Sequence, residues 1–151
     1  MKKLAVLLCA ALCLFFSGCG DTDFAKNEYD DNAKIASSSD QCVKVNAVIN
    51  NLNGNYKYYT AEFNGRDTIW TDTLDRARKV TVSVSMTLAS GKAKVVYIDP
   101  DDNITVLAEC IPEQGRSFQK NVVEMPEGKN RIKVVGYECN KMAIVTSFYG
   151  L

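Results

Sequence analysis

Strict alternation of apolar and polar residues is the feature of this sequence that most restricts its fold. The alternation is clearest from Val80 to Leu88, VTVSVSMTL, where five apolar residues alternate with four hydroxyl-bearing residues. Successive side chains of an extended strand point to opposite faces of a sheet, so a period of two predicts a strand that is buried on one face only. The other face of this strand then carries a column of four hydroxyl groups.

Eight further segments have the composition and alternation of strands, and no run predicts a helix. These segments are 42–49, 56–63, 67–73, 93–99, 104–110, 117–125, 131–138 and 142–149. About nine short strands separated by turn residues are typical of two packed antiparallel sheets. The predicted fold class is therefore all-β, an antiparallel β-sandwich of immunoglobulin-like or jelly-roll type.

Turn residues between the strands predict how neighbouring strands pair. A two-residue turn at Ser90-Gly91 and a four-residue loop at 100–103 would make the segment 80–110 a three-stranded meander. The resulting pairs are Leu88 with Ala93, Met86 with Val95, Val84 with Tyr97, Tyr97 with Val106 and Val95 with Ala108. All of these pairs put apolar side chains on one face, which is the face expected in the core.

The first residues have the pattern of a secretory signal. Lys2 and Lys3 precede thirteen consecutive apolar residues, Leu4 to Phe16. A helix of thirteen residues covers roughly 20 Å, less than the ~30 Å of a bilayer core, so this segment is too short to be a transmembrane anchor. Residues 1–18 are therefore interpreted as a signal peptide.

The end of that run, Phe16-Ser17-Gly18-Cys19, resembles the processing site of bacterial lipoproteins, although the family usually has Leu where this chain has Phe16. The resemblance implies that Cys19 is lipidated and becomes the new N-terminus. The protein would then be exported and held at a membrane of the cell envelope by acyl chains, each methylene of which supplies about 0.8 kcal/mol. The alternative is an ordinary signal peptide that is cut nearby and leaves Cys19 unmodified.

Composition divides the rest of the chain into a tether and one domain. Residues 20–40 are polar and lack periodicity, so residues 19–40 are predicted to be a lipidated N-terminus and a flexible tether. Residues 41–151 are predicted to form a single β-sandwich domain of ordinary size.

Charge and residue types exclude several classes of function. Removal of residues 1–18 takes away Lys2 and Lys3 and leaves 16 basic residues against 18 acidic ones, without the basic cluster that nucleic-acid binding requires. The chain has no histidine, which excludes histidine-based acid–base chemistry, Ser-His and Cys-His nucleophile pairs and histidine-ligated zinc. No cofactor is predicted. A hydrolase that uses a pair of carboxylates stays possible.

The acidic segment Asp99-Pro100-Asp101-Asp102-Asn103 has oxygen ligands at alternate positions, as at the start of a calcium loop. It lacks the glycine and the bidentate glutamate that complete an EF-hand loop. Proline with Asp and Asn is ordinary turn chemistry, so a turn is predicted here and no metal site.

Three cysteines remain after signal removal and lipidation, Cys42, Cys110 and Cys139. Alternation puts Cys110 on the core face with Val106 and Ala108, puts Cys42 on the opposite side from Val43 and Val45, and leaves Cys139 in a turn with Asn140. A buried thiol at Cys110 and a disulfide such as Cys110–Cys139 both stay open.

The aromatic segment 56–70, YKYYTAEFNGRDTIW, is the main candidate for a binding surface. Asn64-Gly65 predicts a hairpin in which Tyr59 and Trp70 are opposed and buried. The outward face would then carry four candidate ligand-binding residues, Tyr56, Tyr58, Ile69 and Thr71. Exposed tyrosines two residues apart can stack on a sugar ring or contact a protein.

These observations predict a lipid-anchored binding module of the cell envelope, with a glycan or a protein as its ligand. The alternatives are a structural accessory subunit of an envelope assembly and a small carboxylate-dependent hydrolase. A binding module should present a localised aromatic patch, an assembly subunit a long unpaired strand edge, and an enzyme a concave pocket with converging carboxylates.

Overall fold

The computed structural model describes residues 23–52 and 54–151, which form two short helices and eight strands. The helices are α1 (Asp23–Glu28) and α2 (Asn32–Ala36). The strands are β1 (Gln41–Val45), β2 (Val48–Leu52), β3 (Asn55–Leu74), β4 (Arg78–Thr87), β5 (Ser90–Ile98), β6 (Ile104–Cys110), β7 (Arg116–Met125) and β8 (Gly128–Tyr149). All strand pairs are antiparallel, so the predicted all-β class is confirmed. No helix among these residues is long and apolar enough to cross a membrane.

Two long strands, β3 and β8, hold the sandwich together because each runs through both of its layers. They pair with one another from Asn55–Ser147 to Leu74–Gly128. The first half of β3 and the second half of β8 lie between β2 on one side and β4 and β7 on the other, in the order β2-β3-β8-β4-β7. We name this the open layer. The other halves lie between β1 and the β5-β6 pair, and we name that the covered layer.

The core between the layers follows the alternation of β4. Val80, Val82, Val84 and Met86 are fully buried, as the sequence predicts. They pack with apolar residues from β3, β5, β6, β7 and β8, among them Trp70, which is 7% exposed. The intervening residues of β4 face outward, so the column of hydroxyl groups lies on the outer side of the open layer.

Strands β1 and β2 together form one edge of the sheet. Gln41 to Val45 and Val48 to Leu52 pair with β3 in the same register, interrupted at Asn46, which has a positive φ of 51°, and at Ala47. The predicted strand 42–49 therefore exists, with a kink near its middle. Within the described part of the chain, no other strand pairs with the outer side of this edge.

The hairpin predicted at Asn64-Gly65 is wrong. Residues 56–63 and 67–73 belong to one continuous strand, β3, in which the register shifts between Phe63 and Gly65. Gly65 has φ 106°, and a Cβ there would collide with the carbonyl oxygen of Gln41. Glycine is therefore required at this position by a β-bulge and by the close approach of β1, not by a turn.

The turn predicted at Ser90-Gly91 is also wrong, because Gly91 likewise lies at a register shift within a strand and not in a hairpin. Strands β4 and β5 do not pair; β4 lies between β7 and β8, and β5 lies between β6 and β8. The pairs of Leu88 with Ala93, Met86 with Val95 and Val84 with Tyr97 are therefore absent. Gly91, with φ 81°, lies where the register of β5 against β8 shifts. The chain crosses from one layer to the other between β4 and β5.

The pairing predicted for β5 with β6 is half correct. Val95 lies opposite Ala108 as expected, but a bulge at Leu107 then pairs Val96 with Val106 and Tyr97 with Thr105. Val106 is consequently 49% exposed instead of lying in the core. The segments 131–138 and 142–149 are likewise one strand, β8, and Cys139 lies within it and not in a turn.

The prediction of a flexible tether is wrong for residues 23–40. This segment, which we call the strap, contains α1 and α2 and lies on the outer side of the covered layer. Tyr29 and Ile35 are 1% and 0% exposed and pack with Val96, Ile98 and Val135. The strap gives the covered layer a second, smaller hydrophobic core.

Buried cations of the covered layer bind the strap. Arg66 forms an ion pair with Glu28, and Lys94 contacts Asp30 at 3.3 Å. The guanidinium of Arg131 donates to the carbonyl oxygen of Ala36 at 2.7 Å. The ammonium of Lys133 donates to the Ser37 carbonyl oxygen at 2.6 Å and contacts the Asp40 carboxylate at 3.0 Å. Burying these charges is tolerated because each is paired with an anion or a carbonyl of the strap.

Candidate functional site

The four candidate ligand-binding residues do not form a common surface. Tyr58 is 1% exposed, lies edge-on to Phe63 with ring centroids 5.9 Å apart, and donates its hydroxyl to Asp67 at 3.0 Å. Lys44 contacts the same Asp67 oxygen at 2.8 Å. Burial and the adjacent Asp67 carboxylate raise the pKa of Tyr58. Tyr58 is therefore a core residue, and its predicted outward position is wrong.

The other three candidates lie apart from one another. Tyr56 is half-buried, edge-on to Phe148 with ring centroids 5.8 Å apart, and Phe148 stacks on Trp70 at 5.1 Å. Ile69 lies at the second register shift of β3 and packs against the core. Thr71 is exposed but lies opposite Arg131 in the covered layer.

Tyr59, which was predicted to be buried, is exposed. It was predicted to be buried against Trp70, and its side chain is 41% exposed on the outer side of the open layer. Tyr58 and Trp70 are an even number of residues apart in the one strand β3, and the register shifts at Phe63–Gly65 and at Thr68–Trp70 cancel, so both side chains point into the core. The predicted hairpin, which opposes Tyr59 to Trp70, puts Tyr59 on the wrong face.

The outer side of the open layer, which we call the open face, has residues from all five of its strands in aligned rows. One row runs Val48, Tyr59, Ala143, Thr87 and Arg116; the next runs Asn50, Lys57, Val145, Ser85 and Phe118; a third runs Asn55, Ser147, Ser83 and Lys120; the last runs Tyr149, Thr81 and Val122. No described segment of the chain packs on this face, whereas the strap covers the other layer.

Exposed aromatic and apolar side chains surround the centre of the open face. Phe118 is 68% exposed, Tyr149 63%, Val122 60% and Tyr59 41%. On an ideal sheet lattice the three aromatic side chains would be roughly 15–20 Å apart, because they lie on different strands and in different rows. Several exposed aromatic and apolar side chains on one uncovered sheet face mark a candidate interaction surface.

Hydroxyl groups occupy the centre of the open face. Thr81, Ser83, Ser85 and Thr87 project from β4, which is flanked by β8 and β7. Beside them, Ser147 hydrogen-bonds to Asn55 across β8 and β3. The face therefore combines a column of hydrogen-bonding groups with aromatic rings around it, which is an arrangement suited to a ligand that has both hydroxyl groups and apolar surfaces.

Sequence reasoning missed Phe118, Tyr149 and Lys57 as surface residues of one site. The signal for Phe118 is present in β7, where it shares its phase with Lys120 and Glu124 and lies out of phase with Val123 and Met125. An aromatic residue in phase with charged residues is expected to face solvent. Tyr149 and Lys57 required knowledge of strand order, which the sequence alone does not provide.

The acidic loop forms the predicted turn. The Asp99 carboxylate accepts backbone N–H groups of Asp101 and Asn103 at 2.9 Å each, and the Asn103 side-chain amide at 2.8 Å. These hydrogen bonds lower the pKa of Asp99 despite the opposing effect of desolvation. Asp102 forms an ion pair with Arg131. The Asp99 carboxylate is thus occupied in closing the turn.

The three cysteines of the described residues, Cys42, Cys110 and Cys139, are free thiols. Cys110 is fully buried, as its position in the alternation predicts, and Cys42 is half-buried on the opposite side of β1 from Val43 and Val45. Cys139 is 2% exposed and donates to the carbonyl oxygen of Lys92 at 3.1 Å. Cys19, the predicted lipidation site, lies outside the described residues.

Comparison with known proteins assigns no family to this chain. No protein-family model matches it, and no curated protein matches it. Among solved structures, it is similar to a carbohydrate-binding module of family 29, with 11% identity over 74% of this chain and 77% of that one, at a TM-score of 0.42. It is also similar to a carbohydrate-binding module from Cellvibrio mixtus lichenase 5A in complex with cellotriose, with 6% identity over 78% and 92% of the two chains, at a TM-score of 0.37. A resemblance this loose gives no information about the ligand.

Proposed function

We propose that this protein is a lipid-anchored module of the cell envelope that binds glycan chains on its open face without catalysing a reaction. The observation that carries the proposal is the open face itself, where exposed Phe118, Tyr149 and Tyr59 surround the hydroxyl column of β4. Sugar rings have an apolar side that stacks on aromatic rings and hydroxyl groups that hydrogen-bond to Ser, Thr and Asn side chains.

The spread of the aromatic residues favours a glycan chain over a single sugar. A monosaccharide could contact only one of three rings that are roughly 15–20 Å apart on the sheet lattice. An oligosaccharide lying across the strands would reach more than one ring and the hydroxyl groups between them. A broad, uncovered sheet face also admits the middle of a polymer, which a closed pocket would exclude.

The segment that would follow the proposed anchor packs on the side of the sandwich opposite the open face. Only residues 20–22 lie between Cys19 and the start of α1 at Asp23, a reach of at most about 14 Å. The strap that follows packs on the covered layer. If acyl chains are attached at Cys19, the covered layer is near the membrane and the open face is directed towards the polymers of the envelope.

Affinity electrophoresis through gels that contain soluble polysaccharides tests the proposal. We expect at least one neutral or acidic polysaccharide to retard the protein, and the combined variant Tyr59→Ala, Phe118→Ala, Tyr149→Ala to migrate freely. Each ring is expected to contribute on the order of 1 kcal/mol, so that the three together account for roughly 100-fold in affinity. Val106→Ala is the control, because Val106 is an exposed apolar residue on the covered layer, away from the open face. Absence of retardation across a broad panel would reject the proposal.

A second candidate function is assembly through the β1-β2 edge. Val43, Val45, Val48 and Ile49 are 38–53% exposed along this edge, and its backbone groups on the outer side pair with no described strand. Lys44, its only charged residue, is already held by Asp67. An edge whose one charged side chain is already paired, and whose outer backbone groups pair with no described strand, can pair with the same edge of a second copy. Sedimentation equilibrium tests this candidate: a dimer that Val48→Lys converts to a monomer would support it, and a monomer at all concentrations would reject it.

A further inference from the structure

We infer that the open face is specific for acidic glycans, that is, polymers whose sugars bear carboxylate, sulfate or phosphate groups. This inference rests on the proposed function and adds to it the chemical class of the ligand. It depends on three cations, Lys57, Arg116 and Lys120, which share the rows that contain the aromatic and hydroxyl groups.

The three cations lie on both sides of the hydroxyl column of β4, as the aromatic rings do. Lys57 lies in the row of Ser85 and Phe118, Arg116 in the row of Thr87 and Tyr59, and Lys120 in the row of Ser83 and Ser147. On the sheet lattice the three positions are roughly 14–16 Å apart, so they form a triangle around the centre of the face. A polyanion crossing the face in any direction would pass close to at least one of them.

The charge of these residues is not neutralised within the described part of the chain. Lys57, Arg116 and Lys120 are exposed, and none of the seven ion pairs found among residues 23–52 and 54–151 includes them. The four rows that make up the open face contain no Asp or Glu, and Glu124, on the same side of β7 beyond the last row, lies opposite Lys79. The buried cations of the covered layer differ in this respect, because Arg66, Lys94, Arg131 and Lys133 all have acidic partners.

The local charge therefore contrasts with the charge of the whole chain, in which 18 basic and 18 acidic residues balance. Three cations in rows that contain no carboxylate produce a positive field at the face, which attracts anionic chains and repels cationic ones. The exposed aromatic rings add contacts that a simple ion-exchange surface would lack. Together these features indicate a ligand that is both a sugar polymer and an anion.

The experiment compares two forms of one polymer, polygalacturonate and its methyl-esterified form, which differ in charge but not in the sugar backbone. Affinity electrophoresis and isothermal titration calorimetry with the full-length folded protein should show binding to polygalacturonate at least about tenfold tighter than to the ester. Raising NaCl from about 20 mM to about 500 mM shortens the Debye length from roughly 20 Å to roughly 4 Å and should remove most of this preference.

The charge variant is Lys57→Gln, Arg116→Gln, Lys120→Gln, and the matched control is Lys26→Gln, Lys34→Gln, Lys129→Gln, which removes three exposed cations from elsewhere. We expect the first to weaken binding of polygalacturonate about tenfold and the second to leave it unchanged. Equal affinity for both forms of the polymer, or equal loss in both variants, would overturn the acidic-glycan assignment but leave glycan binding intact. Binding of single-stranded DNA but of neither polymer would reject the assignment and the proposed function together.

Discussion

At the scale of single residues, the adjacent pair Tyr58 and Tyr59 gives the most direct test of the fold and of the site. The two side chains point to opposite sides of β3, Tyr58 into the core beside Asp67 and Tyr59 onto the open face. Tyr58→Ala should lower the free energy of unfolding by about 3–5 kcal/mol, as other deletions of buried aromatic side chains do. Tyr59→Ala should change it by about 1 kcal/mol or less.

Urea unfolding followed by the fluorescence of Trp70, the only tryptophan, measures both values. Tyr58→Phe is a useful intermediate, because it keeps the ring and removes only the hydrogen bond to Asp67, which Lys44 still contacts. We expect a loss of about 1 kcal/mol for that change. A larger loss at Tyr59 than at Tyr58 would mean that the faces of β3 are assigned the wrong way round.

The three thiols should differ in reactivity because they differ in burial. Burial raises the pKa of Cys139 to about 12, and it also raises the pKa values of Cys110 and Cys42. Cys42 is only half-buried, whereas the other two thiols are buried. Thiolate is the reactive form, and access to the buried sulfur atoms is closed as well. In native protein at pH 8, iodoacetamide should modify Cys42 first, with Cys110 and Cys139 reacting only after addition of denaturant. Mass spectrometry of peptides measures the order, and early modification of Cys139 would contradict it.

At the scale of elements, what could be predicted was the strand content and the buried face of β4, and what could not was the strand order. Alternation is a local property, so Val80, Val82 and Val84 identified the core without knowledge of any partner strand. The dipeptides Asn64-Gly65 and Ser90-Gly91 were interpreted as turns, yet both glycines lie at β-bulges. Glycine with a positive φ fits both a hairpin turn and a β-bulge, and the choice between them depends on which strand lies beside the glycine.

The strap was not predictable for a related reason. Its helices have six and five residues, too few for a helical period to be recognised. Its stability comes from distant partners, such as Lys133 with Asp40 and Arg66 with Glu28, which lie far apart in the sequence. The open face was missed because its rows combine residues from five strands, of which the sequence indicated correctly only the hydroxyl column of β4.

Acid should loosen the strap. Desolvation tends to raise the pKa of Asp40, but hydrogen bonds from Lys133 and Thr68 outweigh it and lower the pKa below 3.8. A carboxylate whose pKa is lower in the folded state stabilises that state above pH 3.8, and this contribution is lost as the pH falls through the folded value. Hydrogen exchange of amides in residues 34–40 should therefore be protected at pH 7 and lose protection below about pH 3.8, relative to the core strands.

Asp40→Asn is the control for this effect, because it removes the titrating group but keeps a side chain of nearly the same shape. In that variant the difference in protection between the strap and the core strands should vary less with pH. Loss of protection with the same pH dependence in both proteins would assign the acid sensitivity to other carboxylates, such as that of Asp99, whose pKa is also lowered.

At the scale of the whole molecule, the two sides of the sandwich have different roles in the proposed function. The covered layer uses its basic residues to bind the strap, whereas the cations of the open face have no acidic partner in the described part of the chain. Because β3 and β8 contribute to both layers, the two sides are held in a fixed relation to each other. Attachment at one side therefore determines the direction in which the other side points.

The lipid anchor itself can be tested before the orientation is. If Cys19 is acylated, the native protein should partition into the detergent phase of Triton X-114, and mass spectrometry of its N-terminal peptide should show a modified cysteine preceded by no other residue. Cys19→Ala, which removes the only proposed acylation site, should move the protein to the aqueous phase. A water-soluble native protein with an unmodified Cys19 would contradict the anchor.

Orientation at the membrane can then be measured by lysine labelling. Lys26 and Lys34 are exposed on the strap, and Lys57 and Lys120 are exposed on the open face, so the chain contains matched reporters for its two sides.

The intact lipoprotein in vesicles and the soluble Cys19→Ala variant would be treated briefly with a water-soluble N-hydroxysuccinimide ester, and the modified peptides quantified. Because at most about 14 Å of chain separates Cys19 from α1, the membrane should reduce labelling of Lys26 and Lys34 several-fold and leave Lys57 and Lys120 unchanged. Protection of Lys57 and Lys120 instead would place the open face against the membrane, where it could not reach a polymer of the envelope, and glycan binding by the anchored protein would have to be abandoned.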